Sequence, residues 1–248
     1  MKIMVINPNT TKKMTNSIHQ TACRAIRDNT EIHTVNPSDG PVSIENYYDE
    51  AFAVTGVLTE LRKGESQGFD AYVIACANDP GLYAAREFAC GPVIGIAEAS
   101  MHVASLIAAK FSIVSLFPRD RLITEELLHR YGMETKCASI RTCGLSVLDF
   151  ENNPEKGLDL LAAESKKAVE TDGAEAICLG CAGMSQLTNE LESTLGVPVL
   201  DGVAEAVKLA ESLVDLGKKT SKILYFEKPA AKEYKGIYAE CNPAASIR

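Results

Sequence analysis

The sequence contains no apolar run approaching the roughly 20 residues that a membrane-spanning helix needs, so no membrane span is expected. It contains no G-x-G-x-x-G stretch and no G-x-x-x-x-G-K-[ST] stretch. Use of a nicotinamide cofactor or ATP therefore has no support in the sequence. Histidine is scarce: His19, His33, His102 and His129 are scattered along the chain, which does not favour a Cys–His hydrolase. No lysine stands in a setting that suggests a Schiff base to pyridoxal phosphate. Positive charge is in deficit, with 25 Lys and Arg against 33 Asp and Glu and a net charge of −8. An acidic surface disfavours nucleic acid and anionic membranes as partners. The apolar run within MKIMVINPNT is too short for a signal peptide, and no small-residue cleavage site follows it. The expectation is a cytoplasmic enzyme or binding protein.

What is present is enough apolar material for a sizeable core: 46% of 248 residues are hydrophobic. That suffices for one large domain or two small ones. Short apolar strands are expected over Lys2–Ile6, 31–36, Ala71–Cys76 and Pro92–Ile96, then over Phe111–Phe117, Ala174–Cys181 and Val197–Leu200. A further strand is expected within 138–148. Helical spacing of apolar residues is found at Met14, Ile18, Ala22 and Ile26, at Val54–Leu61, over 121–131 and 155–170, and at Val203–Val214. Strands alternating with helices predict parallel sheets covered on both faces. The fold class is therefore α/β. The tail from about Lys228 carries no assigned function.

The two halves repeat one pattern. Gly68-Phe69-Asp70-Ala71 precedes Cys76 by the same spacing at which Gly173-Ala174-Glu175-Ala176 precedes Cys181. Downstream, Pro92-Val93-Ile94 with Ala97-Glu98-Ala99 matches Pro198-Val199-Leu200 with Ala204-Glu205-Ala206. Such matches suggest duplication, although any two βα units share some likeness. Ligands bind beyond the carboxyl ends of strands in open parallel sheets. Two pseudo-symmetric lobes facing each other would bring both cysteines to one cleft from opposite sides.

Opposed thiols suit one chemistry in particular. Inverting a carbon next to a carbonyl needs a base on one face and an acid on the other, with donors for an enolate-like intermediate. A thiol tuned by a helix N-terminus can serve as either. Asp79 and Pro80 are expected as N-cap and first residue of a helix after Cys76, and Gly183 allows backbone N–H groups close to a ligand. The competing reading is that these cysteines, like most of the eight in the chain, are small buried apolar residues. Cys178-Leu179-Gly180-Cys181 spells C-x-x-C, but residues three apart on a strand point to opposite faces. A shared metal or disulfide there is not expected, so no metal site is assigned. Asn7-Pro8-Asn9-Thr10 reads equally as a ligand loop or an N-cap turn, and Ser43-Ile44-Glu45 as a capping segment or a substrate loop.

Taken together, Asn7-Pro8-Asn9-Thr10, Cys76 with Asp79-Pro80-Gly81-Leu82, Gly95-Ile96-Ala97-Glu98, Leu179-Gly180-Cys181-Ala182-Gly183-Met184 and Asp201-Gly202-Val203 resemble hydantoin and allantoin racemases. These belong to the aspartate/glutamate/hydantoin racemase superfamily, and the likeness extends over residues 1 to about 226. The resemblance implies two Rossmann-like, flavodoxin-like lobes with the site in the cleft between them. The lobes would comprise 1–97 with 204–248, and 98–203. It implies catalysis by Cys76 and Cys181 without cofactor or metal, a cyclic ureide as substrate, and a homo-oligomer. Asn9, Ser43, Ile44, Ala77, Asn78, Pro118, Arg119, Ala182, Gly183 and Met184 match segments that line the pocket. The chain departs from the family at Ala77 and Asn78, where an aromatic residue and glycine are usual, which bears on substrate choice. Aspartate or glutamate racemisation, a related maleate isomerase or malonate decarboxylase, and a non-catalytic binding protein are the alternatives.

Overall fold

A computed structural model describes residues 1–243 of the chain. Two four-stranded sheets, all parallel, form its centre, and both have the same strand order. In the first the order is β2-β1-β3-β4, from β1 (Lys2–Ile6), β2 (Glu31–Val35), β3 (Ala71–Ile74) and β4 (Val93–Gly95). In the second it is β6-β5-β7-β8, from β5 (Phe111–Ser115), β6 (Cys137–Thr142), β7 (Ala176–Leu179) and β8 (Val199–Leu200). The order 2-1-3-4 is that of flavodoxin-like sheets, whose crevice opens where the first and third strands lie side by side and their connections diverge. β1 pairs with β3 from Ile3↔Ala71 to Ile6↔Ile74, and β5 with β7 from Phe111↔Ala176 to Val114↔Leu179.

The helices follow from the same pattern. α1 (Lys12–Ala25) buries Met14, Ile18 and Ala22 on one face. α2 (Tyr47–Gln67) is capped by Asn46, whose side chain accepts from the Asp49 N–H at 2.9 Å, and it ends at Gly68 in the left-handed conformation. α3 (Leu82–Phe88) and α4 (Ile96–Ile107) complete the first half. α5 (Asp120–Tyr131), α6 (Val147–Asn152), α7 (Pro154–Glu170) and α8 (Thr188–Leu195) belong to the second, and α9 (Val203–Asp215) closes the regular structure. α4 leaves the first sheet yet packs on β7 of the second and on α9. α9 leaves the second sheet yet packs on α1, β3 and β4 of the first. One continuous core accordingly joins Val5 and Val73 of the first sheet to Val114 and Leu179 of the second, through Val203, Val207 and Met184. Dense apolar packing of this kind resists relative movement of the halves.

Several expected boundaries differ. The strand expected within 138–148 is Cys137–Thr142. It stops because Gly144 takes a positive φ of 73° and Ser146 then caps α6 by accepting from the Asp149 N–H. No helix was expected over α4, which buries Ile96, Ala97, Ala99, Met101 and Ala104 and packs against sheet two and α9. Of the eight cysteines only Cys178 is fully buried, while Cys23 and Cys90 are exposed and the rest are partly buried. No helix among the described residues is long and apolar enough to cross a membrane.

Candidate active site

Cys76 stands two residues beyond the end of β3, and Cys181 two residues beyond the end of β7. β3 and β7 occupy equivalent places in their sheets, so the two cysteines stand at matching strand ends. Both line one cleft of about 480 Å³. Asn9 and Ile44 contribute to its wall from the first half, Leu116 and Phe117 from the second. Cys178 lies in a different cluster with Phe111, Ile113 and Met101, so the C-x-x-C pair diverges across the strand.

Each thiol follows from a local turn. The Asp79 N–H donates to the Cys76 carbonyl at 2.9 Å and closes the turn after the first thiol. Asp79 was expected to cap the helix that follows. Instead Gly81, in the left-handed conformation, precedes α3. Asp79 reaches across to α4, accepting from the Ala97 N–H at 3.1 Å and the Glu98 N–H at 2.9 Å. It also accepts from the Tyr131 hydroxyl at 2.7 Å, which ties the Cys76 turn to the end of α5 in the second half. Cys181 is the N-cap of a 3₁₀ turn (Ala182–Leu187), with the Met184 N–H donating to its carbonyl at 3.0 Å. N–H groups in the first turn of such an element lack intrahelical acceptors.

Charge in the cleft is governed by burial. Desolvation pushes the Cys76 thiol well above its ordinary range. A hydrogen bond from the Asn78 backbone opposes this, and the charges of Cys181, Glu50 and Asp79 reinforce it. The influence of Cys181 on Cys76 means that the two sulfurs resist ionising together. Burial likewise raises the Asp79 carboxyl to about 7, against the opposing effect of the Tyr131, Glu98 and Ala97 donors. Asp120 and Glu50 are also raised, in each case chiefly by desolvation.

The sequence-based candidates fall into three groups. Asn9, Ile44, Cys76, Ala77, Asn78, Cys181 and Ala182 all line the thiol cleft. Asn9 lines it while its side-chain oxygen accepts from the Thr11 N–H and from Asn7, so the turn is at once ligand-facing and structural. Ser43, Gly183 and Met184 sit just behind the wall. Ser43 is buried against Glu45, Met184 is fully buried, and a methyl group at Gly183 would lie 3.6 Å from the Cys181 sulfur. Pro118 and Arg119 line an outer groove with Tyr47 and Leu122 instead. Their neighbours Phe117 and Asp120 turn toward the thiols, because Asp120 folds back to accept from the Phe117 N–H at 3.0 Å. Sequence reasoning missed Asp120. Its only signal was an acidic residue at a helix start. Asn78 and Asp120 also line a smaller adjoining pocket with Ser100 and Cys178.

Known proteins resemble the chain over nearly its whole length. Residues 3–210 match the family described as Asp/Glu/Hydantoin racemase. The chain is 54% identical over 236 residues to a hydantoin racemase of Pseudomonas sp. (strain NS671), covering 95% of each chain. It is 48% identical to a hydantoin racemase of Rhizobium meliloti, covering 95% of this chain and 98% of that one. The allantoin racemase from Klebsiella pneumoniae superposes with a TM-score of 0.96 at 46% identity, covering 98% and 99% of the two chains.

Proposed function

The chain belongs to the Asp/Glu/hydantoin racemase family, and from that premise we propose that it inverts C5 of 5-substituted hydantoins, allantoin included, with Cys76 and Cys181 as its two acid–base groups. The observation that carries the mechanism is the placement of two thiols at equivalent strand ends on one cleft. One sulfur, as thiolate, takes the C5 proton. The electron pair of that C–H bond moves into the adjacent carbonyl and gives an enolate. The other sulfur, as thiol, returns a proton to C5 from the opposite face, and the carbonyl reforms. The pair ends with its protonation reversed, ready for the other enantiomer. Mutual repulsion keeps one proton on the pair, as the reaction requires. Acid and base both come from the chain, so the reading assigns no metal or cofactor to the proton transfer.

Substrate class is supported by the names of the relatives and by the chemistry of the wall. Among the described residues the cleft is lined by a carboxylate, Asp120, and by no lysine or arginine. That disfavours free aspartate or glutamate, whose carboxylates would need cationic partners. A neutral cyclic ureide meets no such conflict.

The test is chiral chromatography of L-5-benzylhydantoin and, separately, (S)-allantoin in buffer containing EDTA. The protein is compared with its Cys76→Ser and Cys181→Ser variants. Racemisation by the unaltered protein alone is expected. Racemisation by either variant at the unaltered rate would refute the two-thiol mechanism. Failure of the unaltered protein on both rings would refute the substrate class.

A further inference from the structure

Next to the Cys76 turn lies a carboxylate, Asp79, that the proton-transfer scheme does not use. Asp79 is 2% exposed and lies three residues after Cys76. Its backbone φ is +46°, a left-handed conformation that a non-glycine residue adopts only when its surroundings impose it. Its N–H closes the turn onto the Cys76 carbonyl, while its side chain holds two N–H groups of α4 and the Tyr131 hydroxyl. Gly95 leaves room for it, since a methyl group there would lie 2.3 Å from the Asp79 carboxyl carbon. Tyr131 is itself packed between the core of the first lobe and that of the second, with the His102 ring 6.3 Å away.

We infer that Asp79 is a positioning residue for Cys76: it fixes the first thiol relative to the second lobe by binding α4 and Tyr131 from the Cys76 turn. The inference deepens the two-thiol reading and rests on it for its effect on turnover. The second lobe does this job differently. The position three residues after Cys181 is Met184, a fully buried apolar side chain in the interlobe core. One thiol is therefore held by a charged hydrogen-bonded anchor and the other by an apolar plug. Loss of Asp79 should disturb Cys76 and leave Cys181 in place. This asymmetry is what separates a positioning role from a general contribution to folding, which would move both thiols together.

The experiment uses Asp79→Asn and Tyr131→Phe in the full chain. Each is checked by circular dichroism and then alkylated with iodoacetamide across a pH series, with peptide mass spectrometry reporting Cys76 and Cys181 separately. Because the Asp79 charge disfavours the Cys76 thiolate, Asp79→Asn should move the Cys76 alkylation midpoint to lower pH. The Cys181 profile should stay as in the unaltered protein. Misplacement of a reacting group by about 1 Å costs roughly 10²-fold, so kcat should fall by about that factor while KM changes little. Tyr131→Phe, which keeps the carboxylate, should lower kcat less and speed Cys76 alkylation by loosening its turn. The inference is overturned if folded Asp79→Asn leaves the Cys76 profile unchanged, or if both cysteine profiles shift together. Should Asp79→Asn not fold, Tyr131→Phe decides: unchanged Cys76 alkylation and kcat overturn the inference. The alkylation arm reads the anchor even if neither thiol proves necessary for turnover, so failure of the two-thiol mechanism remains distinguishable.

Discussion

Replacing Gly95 by alanine would put a methyl group 2.3 Å from the Asp79 carboxyl carbon and 2.4 Å from both of its oxygens. Ordinary carbon–carbon contact needs about 3.5 Å or more, so the carboxylate must retreat by about 1 Å. It cannot do so while accepting from Ala97, Glu98 and Tyr131 at 3.1, 2.9 and 2.7 Å. Hydrogen bonds to a charged group contribute roughly 1.5–3 kcal/mol each, and overpacking adds about 1–3 kcal/mol. With two bonds weakened and partial relaxation, Gly95→Ala should cost about 3–5 kcal/mol. For a chain of this size that corresponds to a fall in Tm of about 10 °C. Thermal unfolding followed by circular dichroism at pH 8 measures the loss, and chiral chromatography measures the accompanying drop in racemisation. A Tm within about 2 °C of the unaltered protein, with full activity, would refute the account of how Asp79 is held.

The other tests address different parts of the molecule. Gly180→Ala would place a methyl group 2.5 Å from the Ser115 Cβ and 2.8 Å from its Cα. Since backbone cannot swing aside, a loss of roughly 1–3 kcal/mol in urea unfolding is expected, and an unshifted midpoint would contradict it. In racemisation, burial favours the neutral Cys76 thiol, so the thiolate fraction rises with pH through the neutral range. The kcat/KM profile should climb past neutrality and level only above the ordinary cysteine pKa of about 8.5; an optimum below pH 7 would be incompatible. At the junction of α1 and α9, the Glu211 carboxylate is held at about 2: hydrogen bonds from Thr30, Lys208 and the Arg27 N–H overcome the desolvation that would raise it. Its stabilising effect is complete above the unfolded value near 4.5 and disappears as pH falls toward 2. Urea midpoints measured between pH 6 and 3 should drop less for Glu211→Gln than for the unaltered protein, and parallel curves would show that this carboxylate does not matter.

Much of the frame was legible because its signals are local. Continuous apolar runs such as Ile3–Ile6 and Ala71–Ile74 mark strands buried on both faces. The matched spacing of Gly68–Ala71 with Cys76 and of Gly173–Ala176 with Cys181 places both thiols just past equivalent strand ends. Other features could not be read this way. No helix was expected at α4, whose Ile96, Ala97, Met101 and Ala104 are buried by packing against sheet two and α9, partners that only the fold supplies. Pro118 and Arg119 stand beside Phe117 and Asp120 in sequence but face the outer groove, since the direction of a turn depends on a hydrogen bond that sequence does not display.

The contrast is sharpest at Asp79. Chain-local chemistry suggested a cap for the helix that follows; the Asp79 carboxylate instead accepts from the Ala97 and Glu98 N–H groups of α4, a helix that begins many residues later. By itself the sequence determined the α/β alternation, the repeated pattern of the two halves and the placement of Cys76 and Cys181 just past equivalent strands, because periodicity and spacing are properties of neighbouring residues. Only the tertiary structure decided that the two thiols share one cleft, that α4 and α9 each cover the opposite sheet, and that a buried carboxylate joins the Cys76 turn to Tyr131. Those outcomes depend on which distant groups meet in a desolvated interior, where an unpaired charge or donor is costly and each polar atom must find a partner across the fold.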